Sequence, residues 1–597
     1  MRRAASAVAF LLLLAACSGS ANPAPKAAGN PLTSADFKLY AGDYDGAGAA
    51  YQKLIADPAS GSDQKAHARA HYATLLDYLD RFGPALAQAQ EAVAARDDGD
   101  TEARLTRALD WGEDIQGAVS TGAKAVSGPS PPALARVFYS EALADGGRYA
   151  DARTQLLLAE KAAGDAYTRA EVEREWANYY RGKGDPLEEL NHLELSVKAQ
   201  PRFPERTLEL ARHDYIAGRA GDAGTLLQRL AREHPKDYGL ANVIADTAYV
   251  NNDGQLAQSQ YQRALQLEPN GPEATLGLAE LEADAQRSFS GAHDTLVSAL
   301  KADPKQPALA EYLYWLDQLV LKTDGAAELR SLGAGVAAGG EATTQKALLD
   351  ALNALRKSAG LDPVAGSPAL DQAATAHAYY FLFNFGDQSL AGTGVHNENP
   401  QLPGYSGANS AQRAQHFGYG RNRGSEVIAH AYLATGALGA WSDTVYHRLG
   451  LLDPEALEAG YAQVQVGALS IQVLDFGLGD AGHHAAVAYP PDGQSGLPRA
   501  FSGSEVPDPL SGVRYPVGYP ITVETGSASS LQVTSAGLRG PAGSVPLYVI
   551  PPGTDALSRN EFAMVPRQPL APGSYTAALD GMLDGQPLHL SWQFSVS

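Results

Sequence analysis

A proline-punctuated period of about 34 residues is the feature that most constrains how this chain folds. Pro201, Pro235, Pro269 and Pro304 each end a similar phrase rich in Leu, Ala and charged residues, at intervals of 34, 34 and 35 residues. A proline ends a helix because it lacks the backbone donor and clashes with the preceding turn. Repeats of this length predict one helical hairpin per unit, with each unit buried against its neighbours.

One unit of the repeat shows the expected helix, turn and helix. The phrase Asn251-Asn252-Asp253-Gly254 provides the turn. Small residues before the turn and an apolar stripe after it predict the two packed faces: Ala241, Ala245, Ala248, Ala257, Tyr261 and Ala264. A non-repetitive helical bundle is the alternative interpretation, but it does not account for three nearly equal intervals.

The 34-residue period with its terminal proline resembles the tetratricopeptide repeat. The resemblance implies an all-α superhelix of about eight units over residues 33–330. Arrays of this kind have a long concave face, so a protein or peptide partner is expected there. Tyr179, Tyr180 and Tyr215 are candidates for lining that face, and packing within the array is the alternative role for each of them.

The first residues predict export and lipid anchoring. Met1-Arg2-Arg3 and a short apolar stretch precede Leu14-Ala15-Ala16-Cys17. A positive start, a short apolar core and small residues before a cleavage site are typical of a secretory signal peptide. The phrase before Cys17, the only cysteine of the chain, resembles a bacterial lipobox. The resemblance implies lipidation of Cys17 and a place in the cell envelope, with Ser18 favouring the outer membrane. An ordinary secretory signal is the alternative.

Composition narrows the class of partner. The formal net charge of −21 argues against nucleic acid, which requires clustered Lys and Arg. With one cysteine, the chain cannot form an internal disulfide, so its stability must come from buried cores.

A second region follows a Gly-rich segment at 331–342, which predicts a hinge. Five phrases follow one another over about 345–480. They are Asn353-x-x-Arg356, Leu370-x-x-Ala373-x-x-x-His377, Arg413-x-x-x-x-Gly418-Tyr419, Ser425-Glu426-Val427-Ile428 and Trp441-x-x-Thr444-x-x-His447-Arg448, which continues as Asp453-Pro454-x-x-x-Glu458-x-Gly460. In order and spacing this region resembles a bacterial domain of the CAP superfamily (cysteine-rich secretory protein, antigen 5 and pathogenesis-related 1).

The resemblance implies a three-layer α-β-α sandwich with a cavity lined by two His and two Glu. At the matching positions these residues are His396, Glu426, His447 and Glu458. Val427 stands where the family usually has Asn, and the loop before Arg413 is long.

Three roles are open for this tetrad. His396 and His447 are candidate ligands for a divalent metal such as zinc. The four side chains also suit a buried hydrogen-bond network, or general acid and base chemistry. No nucleophile is evident, so no catalytic residue is assigned, and binding of a small or lipidic envelope ligand is favoured over an enzyme.

The last part of the chain predicts β structure. Short alternating segments separated by Pro and Gly run through residues 516–597 and favour an all-β, immunoglobulin-like sandwich. The predicted organisation is therefore a signal peptide at 1–16, a tether at 17–32, repeats at 33–330, a hinge at 331–342, a CAP-like domain at 343–485, a linker at 486–515 and the sandwich at 516–597.

Two functions are expected from this organisation. The first is a cell-envelope lipoprotein that acts as an interaction module, with the repeats engaging a protein or peptide and the CAP-like domain a small or lipidic ligand. The second is a metal-dependent hydrolase that uses the His/Glu cavity.

Overall fold

The computed structural model describes residues 31–112, 114–335, 342–429, 434–467, 469–501, 503, 505–554 and 560–596. The predicted signal peptide, Cys17, nearly all of the tether and the middle of the hinge lie outside the described residues. Among those described, helices of the length and apolarity needed to cross a membrane are absent.

The first region is an array of helical hairpins, as the repeat period predicts. Its helices are α1 (Pro31–Tyr40), α2 (Tyr44–Ala56), α3 (Ser62–Tyr78), α4 (Phe82–Ala95), α5 (Gly99–Trp111), α6 (Ile115–Ala125), α7 (Ala133–Asp145), α8 (Tyr149–Ala162), α9 (Ala166–Lys183), α10 (Pro186–Ala199), α11 (Pro204–Ile216), α12 (Ala220–Glu233), α13 (Tyr238–Val250), α14 (Gly254–Leu267), α15 (Pro272–Ala283), α16 (Phe289–Ala302), α17 (Pro307–Leu316) and α18 (Gly325–Leu332). Within the described residues they pair as nine consecutive hairpins, close to the expected eight. Proline stands at the first position of α10, α11, α15 and α17, where its missing donor costs nothing.

The array curls until an early hairpin meets a late one. Asp237, at the start of α13, accepts hydrogen bonds from the backbone N–H groups of Tyr44 and Asp45 at 2.7 and 3.1 Å. Asp45 accepts in return from Tyr238 and Gly239 at 2.6 and 3.1 Å. Each carboxylate thus satisfies free donors at the other helix's first turn, where negative charge is stabilising.

The second region is a sheet covered by helices on both faces, as expected. Its helices are α19 (Ala342–Ser358), α20 (Pro368–Leu382), α21 (Ser410–His416), α22 (Ala434–Ser442) and α23 (Tyr446–Leu452), and its strands are β1 (Ala365–Gly366), β2 (Gly424–Ala429), β3 (Ala456–Val466) and β4 (Leu469–Leu478). The strand order is β1-β3-β4-β2. Alternation separates the faces: Val427 and Leu474 pack with α19 and α22, whereas Ile428 and Val473 join α20 and the array.

The last region contains two packed sheets. Its strands are β5 (Val487–Tyr489), β6 (Gln494–Leu497), β7 (Ala500–Phe501), β8 (Val517–Gly518), β9 (Ile521–Glu524), β10 (Leu531–Gly540), β11 (Gly543–Ser544), β12 (Leu547–Ile550), β13 (Phe562–Pro566), β14 (Gly573–Leu583) and β15 (Gln586–Val596). The orders of the two packed sheets are β11-β10-β14-β15-β6 and β12-β13-β9-β5, and β7 and β8 form a separate two-stranded sheet. Segment 486–515, predicted to be a linker, therefore contributes β5 and β6 to the two sheets, because parallel pairing with β15 and antiparallel pairing with β9 satisfy its backbone.

The array and the sheet-containing region share one apolar core, which differs from the hinged arrangement expected from the Gly-rich segment. Tyr312 of α17 meets the rings of Tyr379 and Phe383 of α20 at centroid distances of 5.6 Å. Trp315, also of α17, stacks on Tyr379 at 6.1 Å. Arg287 donates to the carbonyl oxygen of Phe383 at 2.6 Å. Burial of this much aromatic surface holds the two regions together.

This shared core predicts coupled stability. Phe383→Ala should lower the free energy of unfolding by about 3–5 kcal/mol, because a fully buried ring leaves a cavity. Hydrogen exchange should rise in helices α15–α17 of the array as well as in α20. Leu457→Ala, at an exposed position, is the control and should cost within about 0.5 kcal/mol. Faster exchange confined to residues 349–476 would contradict a common core.

A buried carboxyl near this core predicts a pH dependence. Burial raises the pKa of Glu280 to about 8, although Tyr312 donates to it at 2.6 Å. Because this pKa exceeds the ordinary value of 4.5, the contribution of Glu280 to stability is complete below pH 4.5 and is lost as the pH rises through about 8. The fall in Tm between pH 6 and pH 9 should therefore be smaller in Glu280→Gln. Exposed Glu233→Gln is the control; equal falls in both variants would count against the assignment.

Candidate functional site

The structure brings two of the four predicted tetrad residues together. His396 ends a short 3-10 turn at Gly392–His396, and its Nδ1 lies 2.9 Å from Oε1 of Glu426 on β2. Arg413 of α21 forms an ion pair with the other oxygen of Glu426 and donates to the carbonyl oxygen of His396 at 3.2 Å. The His396 side chain is 30 % exposed, whereas Glu426 and Arg413 are buried. The imidazole of His396 therefore reaches solvent, while its Nδ1 is held by Glu426.

Strand register places a third carboxyl beside this pair. Asp475 of β4 lies directly opposite Glu426 of β2, so both side chains project from the same face of the sheet. A side chain at Gly460 on β3 would collide with the first residues of α20, so glycine there allows the helix to lie close over this face. The sequence shows Asp475 only as part of an Asp-Phe-Gly phrase, and the register across strands is not visible in it.

The charges of this cluster are set by burial and by Arg413. Burial alone would raise the pKa of Glu426, but Arg413, His377 and His396 lower it to about 2. Burial and the neighbouring Glu426 raise the pKa of Asp475 well above its ordinary value, against the effect of Arg413. The pair therefore holds one ionised and one protonated carboxyl, as expected when like charges are close.

A second buried His/Glu pair lies behind the first. His377 of α20 has Nδ1 at 3.0 Å from Glu398 and Nε2 at 2.9 Å from the carbonyl oxygen of Val395. These two contacts occupy both nitrogens of the His377 ring. Glu398 also accepts from the backbone N–H groups of Ser406 and Gly407 at 2.6 and 3.1 Å. This pair is not part of the predicted tetrad, although His377 ends the phrase that begins at Leu370 and Glu398 follows His396 by two residues.

His447 has a different carboxylate partner from the predicted one. Its Nδ1 lies 3.0 Å from Glu505, which also accepts from the backbone N–H groups of Val445 and His447 at 2.8 and 2.9 Å. Glu505 thus satisfies donors at the start of α23, a role that suits an anion. Because α23 packs on the sheet face that carries Val427, His447 does not share a hydrogen-bond partner with His396 in the described contacts.

Glu458 also has its own partners. Tyr419 donates to Glu458 at 2.6 Å, and Arg421 lies 3.8 Å from the same oxygen. The Tyr419 ring lies against Gly477, where a side chain would overlap the hydroxyl. The described contacts therefore join His396 to Glu426 but leave His447 and Glu458 in separate clusters, so a four-residue cavity stays a prediction.

The described contacts do not join the two predicted zinc ligands, His396 and His447. His396 and His447 each face a different carboxylate through Nδ1. Among the residues that the structure describes, groups of three or more His, Cys, Asp or Glu side chains with the arrangement of a metal site are absent. The pairing of each Nδ1 with a carboxylate leaves the other ring nitrogen of each histidine unassigned, so a zinc site at His396 and His447 stays a prediction.

A larger opening lies on the inner face of the array. This array cleft, of about 650 Å³, is lined by residues from α5, α7, α9, α11 and α13, the first helices of consecutive hairpins. Leu469, Ser470 and Ile471 of β4 close one side. Tyr179 and Tyr180 instead pack on Trp176, and Tyr215 donates to Asp253 at 3.3 Å; none of the three is among the residues that line the cleft.

Comparison with known proteins identifies the second region. Residues 349–476 match the sequence model of the CAP family, described as the cysteine-rich secretory protein family. A CAP domain is therefore present in about a fifth of the 597-residue chain. Curated proteins gave no match.

Two solved structures resemble the array only loosely. The crystal structure of the APC/C hetero-tetramer Cut9-Hcn1 is 14 % identical over 48 % of this chain and 56 % of its own, with a TM-score of 0.30. TTC0263, a thermophilic TPR protein of Thermus thermophilus, is 18 % identical over 36 % of this chain and 96 % of its own, with a TM-score of 0.23. The assignment of a repeat array rests on the helical hairpins themselves.

Arg413 is the group on which the buried cluster depends most. Arg413→Met should cost about 3–5 kcal/mol of unfolding free energy near pH 7, because it leaves buried carboxylates without their cation. The lowered pKa of Glu426 contributes stability above about pH 4.5 that is lost as the pH falls towards 2, so the cost should shrink on acidification.

Arg421→Met provides the matched control for this measurement by urea unfolding. Arg421 is half-exposed and lies near Glu458, so its removal should cost less than about 1 kcal/mol. Equal costs for the two variants would show that Arg413 does not hold the cluster together.

Proposed function

We propose that this chain is an exported, lipid-anchored interaction protein of the cell envelope, in which the array cleft binds a segment of a partner protein. Helical-repeat arrays expose concave surfaces suited to extended partners. The lipobox-like phrase at Cys17 and the signal-like start support export and anchoring. The outer membrane remains the preferred location, on the basis of Ser18.

One observation carries the proposal: the array cleft is open while it exposes an apolar side chain. Its volume of about 650 Å³ is in the range of ligand-binding clefts. Ile216 at the end of α11 lines the cleft and is 83 % exposed. A large apolar residue at the mouth of a cleft offers a contact that a partner would bury.

The CAP region offers less room for a ligand of its own. An apolar cavity of about 200 Å³ lies between α19, α20 and β3, lined by Leu348, Leu349 and Tyr461 among others. This volume is below the range of sites that enclose a whole small molecule. A short apolar group of an envelope lipid is the ligand class that this cavity supports.

Hydrolysis is the second candidate function, and the His396–Glu426 contact favours it. Glu426 fixes Nδ1 of His396, which leaves the other ring nitrogen on the exposed side as a candidate general base. A nucleophile would have to be water, since the sequence offers no nucleophile motif beside this histidine. Binding is preferred because the array cleft is the larger opening.

Site-specific photo-crosslinking tests the binding proposal. With p-benzoylphenylalanine in place of Ile216, irradiation of cells that export the chain should give discrete adducts with one partner protein, because this side chain lies at the cleft opening. Mass spectrometry of the adducts identifies the partner.

The same probe in place of Leu187 is the control. Leu187 of α10 is 80 % exposed, much like Ile216, but is not among the residues that line the cleft. Adducts of equal yield at both positions, or none at position 216, would contradict binding in the array cleft.

A further inference from the structure

The array cleft continues into a second cavity at the meeting point of the three regions. This junction cavity, of about 490 Å³, shares Asp110 and Asp145 with the array cleft. It is lined by the last turns of α5, α7 and α9, by the loops after α5 and α7, by α22 and by the segments around β7 and β8. The two openings therefore adjoin at these two carboxylates, and together they are called the path.

This path has an excess of negative charge. Carboxylates that line it are Asp80, Asp110, Asp114, Glu141, Asp145, Glu209 and Asp443. The residues that line the junction cavity in the described part of the chain include neither Lys nor Arg.

The cations of the array cleft are already paired with carboxylates. Arg174 donates to both oxygens of Glu141 at 2.8 and 2.6 Å. Arg181 donates to Glu189 at 2.8 Å. Arg212 lies 3.2 Å from Glu205 and 3.4 Å from Asp80. The excess carboxylates of the path therefore attract a cation from outside the chain.

Two further features indicate that the path receives a ligand. Thr247 of α13 lines the array cleft and is almost fully buried, yet its hydroxyl oxygen makes no hydrogen bond within the described residues. A buried hydroxyl without a partner is costly, and a ligand group in the cleft would satisfy it. Exposed Ile216 lies in the same cleft, so the path offers a polar and an apolar contact beside its carboxylates.

The CAP region forms part of the same path. The end of β3 lies against the array, where Gln465 donates to the carbonyl oxygen of Asp80 at 3.1 Å. Ser470, near the start of β4, lines the array cleft. Neither the array nor the CAP region alone therefore contains all of the walls, which gives the CAP domain a role in partner selection that is separate from its own His/Glu cluster.

We propose that this path binds an extended, lysine- or arginine-rich protein segment, with an apolar residue of that segment packed on Ile216. The inference rests on the proposed function, since it names the class of partner for the array cleft. Charge complementarity would speed association and select the partner, as is usual for charged binding surfaces.

Fluorescence anisotropy with defined peptides tests the class of partner. The probe is a fluorescein-labelled peptide of four Lys-Leu-Gly repeats, and four Glu-Leu-Gly repeats are its counterpart. The full chain without its signal peptide should bind the lysine peptide, with affinity falling as salt is added. It should not bind the glutamate peptide.

Substitution of two accessible carboxylates locates the binding. The double variant Asp114→Asn and Asp145→Asn should raise the Kd for the lysine peptide at least about fivefold. Asp114 caps α6, and Asn caps helices equally well. Asp145 accepts from the side-chain amide of Asn178 through one oxygen, and Asn keeps an acceptor oxygen there. The double variant Asp222→Asn and Asp294→Asn removes the same charge from exposed positions outside the path and should leave Kd unchanged within about twofold.

The outcomes separate this inference from the proposed function. Equal binding of both peptides, no binding of the lysine peptide, or equal weakening by both double variants would overturn the basic-segment proposal. If adducts still form at position 216, the cleft remains a binding site for a partner of another charge. If adducts at position 216 are absent, the binding function itself fails.

Discussion

The apolar contact between α17 and α20 is the interaction on which the rest of the structure depends. Tyr312 and Trp315 from the last repeats meet Tyr379 and Phe383 from the CAP region in one fully buried cluster. This contact fixes the sheet against the array, so that the end of β3 reaches the loop that follows α3. An array that would otherwise expose its concave face to solvent thereby gains a second wall. The array cleft, its continuation and their charge all follow from this packing.

The buried His/Glu cluster of the CAP region is held by a different principle. Arg413 supplies the one fixed positive charge, Glu426 is ionised beside it, and Asp475 stays protonated. Such a cluster is stable only if each charge has a partner, because an unpaired buried charge is very costly. His396 is also paired with Glu426, but its side chain reaches solvent. The cluster therefore combines a rigid buried part with one accessible imidazole, which is why catalysis stays the second candidate.

The sequence predicts those features that are encoded locally. The prolines of the repeat predict where the second helix of a hairpin ends. The helical hairpins are therefore found as predicted, and nine are described where about eight are expected. The CAP phrases located the second region, and residues 349–476 match that family. The His396–Glu426 contact follows from the resemblance.

The features that the sequence does not show depend on contacts between residues far apart in the chain. Asp475 lies beside Glu426 because of the register between β2 and β4. Glu505, in the segment predicted to be a linker, is the partner of His447. Packing of the array on the CAP region depends on rings far apart in the chain, whereas the Gly-rich segment between them indicated a hinge.

Cleavage of the chain between the array and the CAP region tests most directly whether the two regions share one apolar core. A protease site inserted within residues 334–341 allows the purified protein to be cut once, after which gel filtration reports whether the two pieces stay together. The shared apolar core predicts that they elute as one species with the far-UV circular dichroism of the uncut chain. Elution as two separate folded pieces would contradict a composite cleft and restore the picture of independent modules on a hinge.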